Sequence, residues 1–171
     1  YIEEGDICID ATAGNGGDTE FLCQKVGETG NVYAFDVQEM AIVHTRERLE
    51  KANLSTRAKL IQDGHEKMQT YVKEEAKVII FNFGYLPGGD HKIATRAATS
   101  LTAIESALNL LKKGGIINLC IYSGGDTGYE EKEAILNYLK TLDSKKWLVI
   151  VNSYFNRKND PPLPVFIYRL K

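Results

Sequence analysis

The chain has 171 residues and a formal net charge of −2. This length fits a single domain, spanning residues 1–171, that can bury a proper hydrophobic core. No apolar run is long enough for a transmembrane helix and no secretory signal precedes the first predicted strand, so we expect a cytoplasmic protein without membrane association. The acidic balance argues against indiscriminate binding of long nucleic acid, although a local basic patch could still hold a small structured RNA.

The three cysteines lie within apolar patterns and lack the spacing of metal ligands. Cys8, Cys23 and Cys120 are therefore predicted to be small core residues in a reducing compartment, and we predict no metal site. The sequence begins without a methionine, directly before the first predicted strand. We therefore expect the natural N-terminus to lie upstream of Tyr1.

The most informative stretch covers residues 7–19, where a short apolar strand leads into a loop of small residues. Asp10 ends the strand, Gly14 and Gly16 follow, and a helix is predicted over Thr19–Val26. Glycines let a backbone approach a ligand closely, and the first turn of the following helix presents free N–H groups. This arrangement is typical of a nucleotide-binding site, although a tight strand-to-helix turn without a ligand has the same pattern.

The dinucleotide motif G-x-G-x-x-G fits this loop poorly, because Thr19 stands where the third glycine should be. The loop resembles instead that of class I methyltransferases, which bind S-adenosylmethionine. That cofactor carries no phosphate, and Asp10 would accept from its ammonium group directly or through water. The residues expected around its methionine end are Asp10, Thr12, Ala13, Gly14, Asn15, Gly16, Asp18 and Thr19.

A second acid, Asp36, follows the strand predicted over Asn31–Phe35. An acid about 20 residues beyond the glycines binds the ribose in nucleotide-binding folds, because its two oxygens can accept from both hydroxyls. A strand-end cap is the alternative. Val37 and Gln38, which come next, are included in the predicted cofactor site.

A third acid follows the strand predicted over Ala58–Gln62, which comes after a long amphipathic helix over Glu39–Asn53. In methyltransferases an acid at this point usually accepts from the adenine amino group. Asp63 is assigned that role, with Gly64 letting the backbone pass close to the ring. His65 is included as a cofactor contact, and an exposed loop histidine is the alternative.

Another motif follows the fourth strand, predicted over Lys77–Phe83. Asn82 and Tyr85 resemble the N-P-P-Y motif of amino-methylating enzymes, with other residues in place of the prolines. A carbonyl can orient a target amine, and an aromatic ring can stack on the base that carries it. We therefore predict that both residues are catalytic and that Asn82 also contacts the cofactor; a simple Gly/Pro turn is the alternative. The predicted substrate mouth consists of Tyr85, Pro87, Gly88, Asp90, His91, Ser123 and Gly124.

The rest of the chain continues the alternation of helices and strands. The Lys112-Lys113-Gly114-Gly115 segment is predicted to end a helix, with cations in the last turn and a glycine cap. The predicted elements are a helix from 95 or 99 to 111, a strand over 116–122, a helix over 130–142, and strands over 147–156 and 164–170. The last connection is too short for a crossover helix. We predict a Rossmann-like α/β fold, with a seven-stranded, mostly parallel sheet, a C-terminal antiparallel hairpin and helices on both faces.

Three segments together resemble one narrower family, the rRNA methylases, over essentially the whole chain. They are residues 10–19, 82–91 and 124–131, of which the second is the most specific. Characterised bacterial members are similar proteins that methylate a tRNA wobble uridine. The resemblance implies S-adenosylmethionine as methyl donor and conversion of 5-aminomethyl-2-thiouridine to the 5-methylaminomethyl form in the anticodon region. It also implies a short helical segment before strand one.

Partner contacts are less well determined by the sequence. Lys92, Arg96, Arg157 and Lys158 lie in loops or at element ends and are candidate phosphate contacts, or else ordinary solvated side chains. A homodimer is a further expectation. Other functions left open are methylation of an rRNA base or a small-molecule amine, a nicotinamide-dependent oxidoreductase, and a non-catalytic protein that binds S-adenosylmethionine.

Overall fold

A computed structural model describes residues 1–83, 96–123 and 128–171 of the chain. Its strands are β1 (Ile7–Asp10), β2 (Asn31–Phe35), β3 (Ala58–Ile61), β4 (Ala76–Phe83), β5 (Leu111–Ile121), β6 (Trp147–Val151) and β7 (Leu163–Arg169). The helices are α1 (Gly17–Val26), α2 (Glu39–Lys51), α3 (Met68–Tyr71), α4 (Ala97–Leu110) and α5 (Gly128–Leu139). Short 3-10 turns cover Ser55–Arg57 and His65–Lys67. No helix among the residues described is long and apolar enough to cross a membrane.

The seven strands form one sheet in the order β3-β2-β1-β4-β5-β7-β6. The pairs from β3 to β5 are parallel, whereas β7 runs antiparallel to both β5 and β6. This is the predicted fold class, including the C-terminal antiparallel hairpin. The order reverses beside β1, and open α/β sheets bind ligands at such a switch point, beyond the carboxyl ends of the strands.

Side chains of both sheet faces are buried, because strand residues alternate between the faces. Cys8 packs on one face with Leu22 of α1 and Leu49 of α2. Its neighbour Ile9 belongs to a larger cluster on the other face, which includes Ile104 of α4 and Ile135 of α5. Burial on both faces explains why the central strands have near-continuous apolar sequences.

The prediction that the segment from Lys112 to Gly115 caps α4 is wrong. The chain passes directly from α4 into β5 at Leu111, and no basic residue lies in the last turn of α4. Leu111 is fully buried and pairs with Ala76 of β4, and the register then shifts. Gly114, with φ of 71°, takes a conformation in this irregular stretch that other residues rarely adopt. Lys112 is bonded to Asp6 at 2.5 Å instead of capping a helix.

Another boundary differs at β6, which ends at Val151 instead of Asn156. The other predicted elements agree with the structure to within a few residues. Because β1 to β6 all run in one direction, their carboxyl ends lie at one edge of the sheet. That edge carries Asp10, Asp36, Asp63, Asn82 and Tyr122.

Candidate functional site

The loop after β1 is organised around the Asp10 carboxylate, which is fully buried. Its two oxygens accept a hydrogen bond from the Thr19 hydroxyl at 2.6 Å and from the Thr12 N–H at 3.2 Å. The acid therefore ties the end of β1 to the loop and to the first turn of α1. In the structure Asp10 acts within the loop, and its contact with an ammonium group of a ligand stays a prediction.

The burial of Asp10 has a strong effect on its ionisation. Removal from water raises the pKa of this carboxyl to about 7, and the nearby charges of Asp18 and Asp36 act in the same direction. The hydrogen bonds from Thr19 and Thr12 oppose that rise. A fully buried acid with this pKa carries a proton for part of the time near neutral pH.

Asp36 joins the first loop to the second strand. Its carboxylate accepts from the Gly14 N–H at 3.0 Å and from the Gln38 N–H at 2.9 Å. Each oxygen thus has one partner among the residues described, and a carboxylate oxygen can accept a further bond. Asp36 is half-buried at the open edge of the sheet, next to Val37, whose side chain is exposed. The predicted ribose contact is compatible with this arrangement and stays a prediction.

The glycine loop also packs closely against α2. Gly16 has φ of 77°, and a Cβ atom added there would lie 2.9 Å from the Thr45 Cα atom. The Thr45 hydroxyl donates to the Gly14 carbonyl at 3.2 Å, and Arg48 Nε donates to the Asn15 carbonyl at 2.8 Å. Helix packing therefore accounts for Gly16 and for the Asn15 carbonyl, both of which the sequence assigned to the cofactor.

Asp63, at the end of β3, is held by a cluster of donors. It accepts from Lys67 Nζ at 2.6 Å, from the Tyr71 hydroxyl at 2.8 Å and from the Gly64 N–H at 2.8 Å. The bond from Lys67, followed by those from Tyr71 and Gly64, lowers the pKa of the Asp63 carboxyl to about 2. This acid is ionised at neutral pH and is available as an acceptor at the sheet edge.

His65 is not the exposed loop histidine considered as an alternative from the sequence. Its Nδ1–H donates to the Ala11 carbonyl at 3.1 Å, and its ring meets the edges of Phe81 and Phe83. Burial lowers its pKa, and Nε2 is buried without a hydrogen-bond partner among the described residues. The neutral ring thus holds the loop after β3 against the loop after β1, and its cofactor contact stays a prediction.

Asn82 lies in β4 and is fixed to the first loop at two points. Its backbone N–H donates to the Thr12 hydroxyl at 2.8 Å, and its side-chain Nδ2 donates to the Asp18 carboxylate at 2.8 Å. A carboxylate accepts and does not donate when ionised, so this bond sets the orientation of the amide. The Oδ1 atom of Asn82 is consequently directed away from Asp18 and can serve as an acceptor.

Ser123 is the one residue of the predicted substrate mouth that the structure describes. It follows β5 and is almost fully buried, and its hydroxyl has no hydrogen-bond partner among the described residues. The other predicted members lie outside the described residues: Tyr85, Pro87, Gly88, Asp90, His91 and Gly124. Lys92, one of the predicted phosphate contacts, also lies outside the described residues. Within the described ranges, no three His, Cys, Asp or Glu side chains are grouped as metal ligands would be.

The contact between Asp18 and Asn82 was not predicted from the sequence. Both residues were predicted site residues, but they are 64 positions apart and no local pattern relates them. A role for the exposed aromatic side chains after β5 and β6 was not predicted either; these are Tyr122, Tyr154 and Phe155. Their signal was present in the sequence as aromatic residues placed just beyond apolar strands, next to the basic Arg157 and Lys158.

Comparison with known protein families gives one match over most of the chain. Residues 32–168 match the model of the family described as "Putative rRNA methylase". A curated relative, the chloroplastic tRNA (mnm(5)s(2)U34)-methyltransferase of Arabidopsis thaliana, is 38% identical over 180 residues. That alignment covers 99% of this chain and 65% of the relative, so the chain spans about two-thirds of the relative's length.

Similar solved structures agree with this family match. A crystal structure of a "putative rRNA-methylase" from Clostridium thermocellum superposes with a TM-score of 0.97 at 48% identity, covering 99% of this chain and 91% of that chain. A "putative methyltransferase" from Streptococcus mutans, solved in complex with SAH, superposes with a TM-score of 0.90 at 42% identity, and the alignment again covers 99% of this chain and 91% of that chain. SAH is S-adenosylhomocysteine, the product that S-adenosylmethionine leaves after methyl transfer.

Proposed function

Because this chain belongs to the rRNA methylase family, we propose that it is an S-adenosylmethionine-dependent methyltransferase whose substrate is RNA. The family and the class I fold agree with the sequence prediction. The observation that carries the proposal for this chain is Asn82, a fixed amide at the carboxyl end of β4, beside a loop with the features of a nucleotide site.

The residues at this edge of the sheet fit the cofactor. Asp36 and Asp63 each offer carboxylate oxygens at the ends of adjacent strands, as hydroxyl and amino groups of an adenosine would require. The loop at Gly14 and Gly16 has left-handed backbone conformations that bring the main chain close to the sheet edge. When bound there, S-adenosylmethionine supplies an activated methyl group.

Asn82 would hold the nucleophile. Its Nδ2 is engaged by Asp18, so the remaining polar atom of the side chain is the Oδ1 acceptor. An acceptor of this kind can bind an N–H of an amine and direct its lone pair toward the methyl group. Correct orientation of two reactants can lower a barrier by about 7–11 kcal/mol.

The amine must also lose a proton. An alkylamine resembles lysine, whose pKa is about 10.4, so most of it is protonated at neutral pH and lacks a lone pair. Exclusion of water from the amine lowers that pKa. Water, Asp90 or His91 would take the proton, and Tyr85 would stack on the base; these three side chains lie outside the described residues.

The most specific form of the proposal is methylation of the 5-aminomethyl group of 5-aminomethyl-2-thiouridine at the tRNA wobble position. It is supported by the Arabidopsis relative and by the Asn82 acceptor, which suits an amine. An rRNA base and a small-molecule amine are the alternatives. A cytoplasmic location and a homodimer remain part of the proposal, since the cysteines of the chain are free thiols and β6 leaves an apolar sheet edge open.

The experiment uses purified protein, S-adenosylmethionine with a labelled methyl group, and tRNA from cells that lack the protein. Mass spectrometry of the digested nucleosides should show label in 5-methylaminomethyl-2-thiouridine and disappearance of the aminomethyl form. The matched control is tRNA whose wobble uridine lacks the aminomethyl group. Label in rRNA, in free amines or in the control tRNA would contradict the proposal.

A further inference from the structure

Exposed aromatic side chains are concentrated beyond the carboxyl ends of β5 and β6. Tyr122 follows β5 and is 43% exposed, whereas Tyr154 and Phe155 follow β6 and are 50% and 105% exposed. Because β5 and β6 run in the same direction as β4, these rings lie at the edge of the sheet that carries Asn82. Large apolar side chains exposed together usually mark a binding surface.

The first of these rings is adjacent to the site already described. Asn82 pairs in register with Cys120 of β5, and Tyr122 lies two residues farther along the chain, on the same face as Cys120. Burial raises the pKa of the Tyr122 hydroxyl, and the proximity of Cys120, Asp18 and Tyr154 adds to that rise. Along the carboxyl ends of the strands, Tyr122 therefore lies between Asn82 and Tyr154.

The segment that carries Tyr154 and Phe155 is fixed at both ends. The Asn152 N–H donates to the Pro164 carbonyl at 2.9 Å, next to the last paired residues of β6 and β7. The Tyr129 hydroxyl of α5 donates to the Asp160 carboxylate at 2.7 Å. These two contacts hold the backbone at either end of the segment on the sheet and on α5, so that the exposed rings stay at this edge of the molecule.

The same segment carries positive charge. Arg157 and Lys158 follow the aromatic pair after one intervening residue, Asn156. They are exposed and form no ion pair within the part of the chain that the structure describes. The one acid of the segment, Asp160, is engaged by Tyr129. Although the whole chain has a formal net charge of −2, these two basic side chains make the segment locally positive, and it can therefore bind an anionic phosphate backbone.

We propose that Tyr122, Tyr154, Phe155, Arg157 and Lys158, here called the aromatic–basic surface, bind the unpaired nucleotides that flank the target in an RNA loop. Tyr154 and Phe155 stack on bases, and Arg157 and Lys158 contact the phosphates between them. Stacking on aromatic rings together with cationic contacts to the backbone is how proteins hold single-stranded nucleic acid. This inference rests on the proposed function, because it names how the same site takes its RNA.

Binding of a synthetic anticodon stem-loop RNA, followed by fluorescence anisotropy, tests the aromatic side chains. Phe155→Ala and Tyr154→Ala should each weaken binding by about five- to 100-fold. Phe155→Trp, which keeps a stacking ring, should bind as the parent does. The matched control is Tyr1→Ala, because Tyr1 is an exposed aromatic residue near the opposite edge of the sheet, bonded to the Gly114 carbonyl.

The basic side chains are tested by charge reversal at each end of β6. Arg157→Glu with Lys158→Glu should weaken binding and reduce its dependence on salt by about one phosphate contact for each residue. Lys145→Glu with Lys146→Glu has the same charge change at the amino end of β6, where both residues are exposed, and should alter neither quantity. Equal effects of the two double variants would overturn the proposed phosphate contacts.

Methylation kinetics separate this inference from the proposed function. If both are right, Phe155→Ala raises KM for tRNA and leaves kcat close to the parent value. Methylation of tRNA by Phe155→Ala with the parent KM would overturn the aromatic–basic surface and leave the proposed function intact. Stem-loop binding that depends on Phe155, in a protein that methylates no RNA, would overturn the proposed function alone. Parent-like binding of the stem-loop by all aromatic variants would likewise overturn the aromatic–basic surface.

Discussion

At the scale of single residues, the bond between Asp18 and Asn82 decides which atom of the amide faces the substrate. Without this hydrogen bond the Asn82 amide can flip by 180°, which exchanges the positions of its carbonyl oxygen and its NH₂ group. Asp18 thus has the role of a positioning residue in the proposed reaction. The sequence assigned it to the methionine end of the cofactor, which stays a prediction.

Asp18→Ala should lower kcat by about three- to tenfold, because one hydrogen bond that orients Asn82 is lost. A rise in KM for S-adenosylmethionine would in addition support the predicted contact of Asp18 with the methionine end of the cofactor. Asp18→Asn can still accept from Nδ2 and should restore most of the turnover, a rescue that a purely electrostatic role would not allow.

Asn82→Ala should lose turnover while retaining cofactor affinity.

Glu20→Ala is the matched control for Asp18→Ala, because Glu20 is an acid in the same helix that pairs with Arg48 at 2.9 Å. Its kinetics should equal those of the parent. If Glu20→Ala and Asp18→Ala lose the same activity, the loss reflects charge near the site and the positioning role is wrong.

The raised pKa of the buried Asp10 carboxyl predicts an unusual pH dependence of the protein's stability. Its pKa is about 7 in the folded protein, against about 3.9 in an unfolded chain. Between these values the folded protein holds a proton that the unfolded chain has lost. The free energy of unfolding contributed by Asp10 therefore falls as pH rises from about 4 to about 7 and is constant above that range.

Urea denaturation of the parent and of Asp10→Asn measures this contribution, and the difference between them cancels most other titrations. Relative to the parent, Asp10→Asn should gain up to a few kcal/mol of stability between about pH 4 and about pH 8. A difference that stays constant over this range would show that Asp10 has an ordinary pKa.

At the scale of elements, the site depends on how closely the first loop packs on α2. Gly16→Ala should destabilise the protein by about 1–3 kcal/mol, since Gly16 has a positive φ and its added Cβ would lie 2.9 Å from Thr45 Cα. The neighbouring Gly17 begins α1, and a Cβ there would meet nothing within 4 Å. Gly17→Ala should be neutral or slightly stabilising in denaturant unfolding, because alanine favours a helix. Equal losses in both variants would contradict this account.

At the scale of the whole molecule, we propose that the continuous sheet makes residues 1–171 one folding unit and that its open edge at β6 pairs with a second copy. Leu148 and Ile150 of that edge strand are 47% and 39% exposed. Natural edge strands usually carry charge or proline that prevents such pairing.

Light scattering behind a sizing column should show a dimer for the parent and a monomer for Ile150→Lys, since a lysine at the edge opposes pairing. Val43→Lys, at an apolar residue of α2 with similar exposure, should leave the dimer unchanged. A monomeric parent would show that the edge does not mediate dimerisation.

The sequence by itself determined the order and type of the seven strands and the four longer helices, the antiparallel hairpin, and the acids and amide at the strand ends, whereas the short helix α3 was not predicted. These follow from local patterns, because apolar runs mark buried strands and the residue after each run must lie at the sheet edge. The family resemblance was also contained in local motifs.

Only the tertiary structure decided which of those edge residues touch. The bond between Asp18 and Asn82, the packing of the His65 ring against Phe81 and Phe83, and the full burial of Asp10 depend on β1 lying beside β4, a neighbour distant in sequence. The start of β5 at Leu111 was decided in the same way, because pairing with Ala76 and complete burial there outweigh a glycine-containing sequence that resembles a helix end. Such contacts join separate segments, and local sequence periodicity contains no information about them.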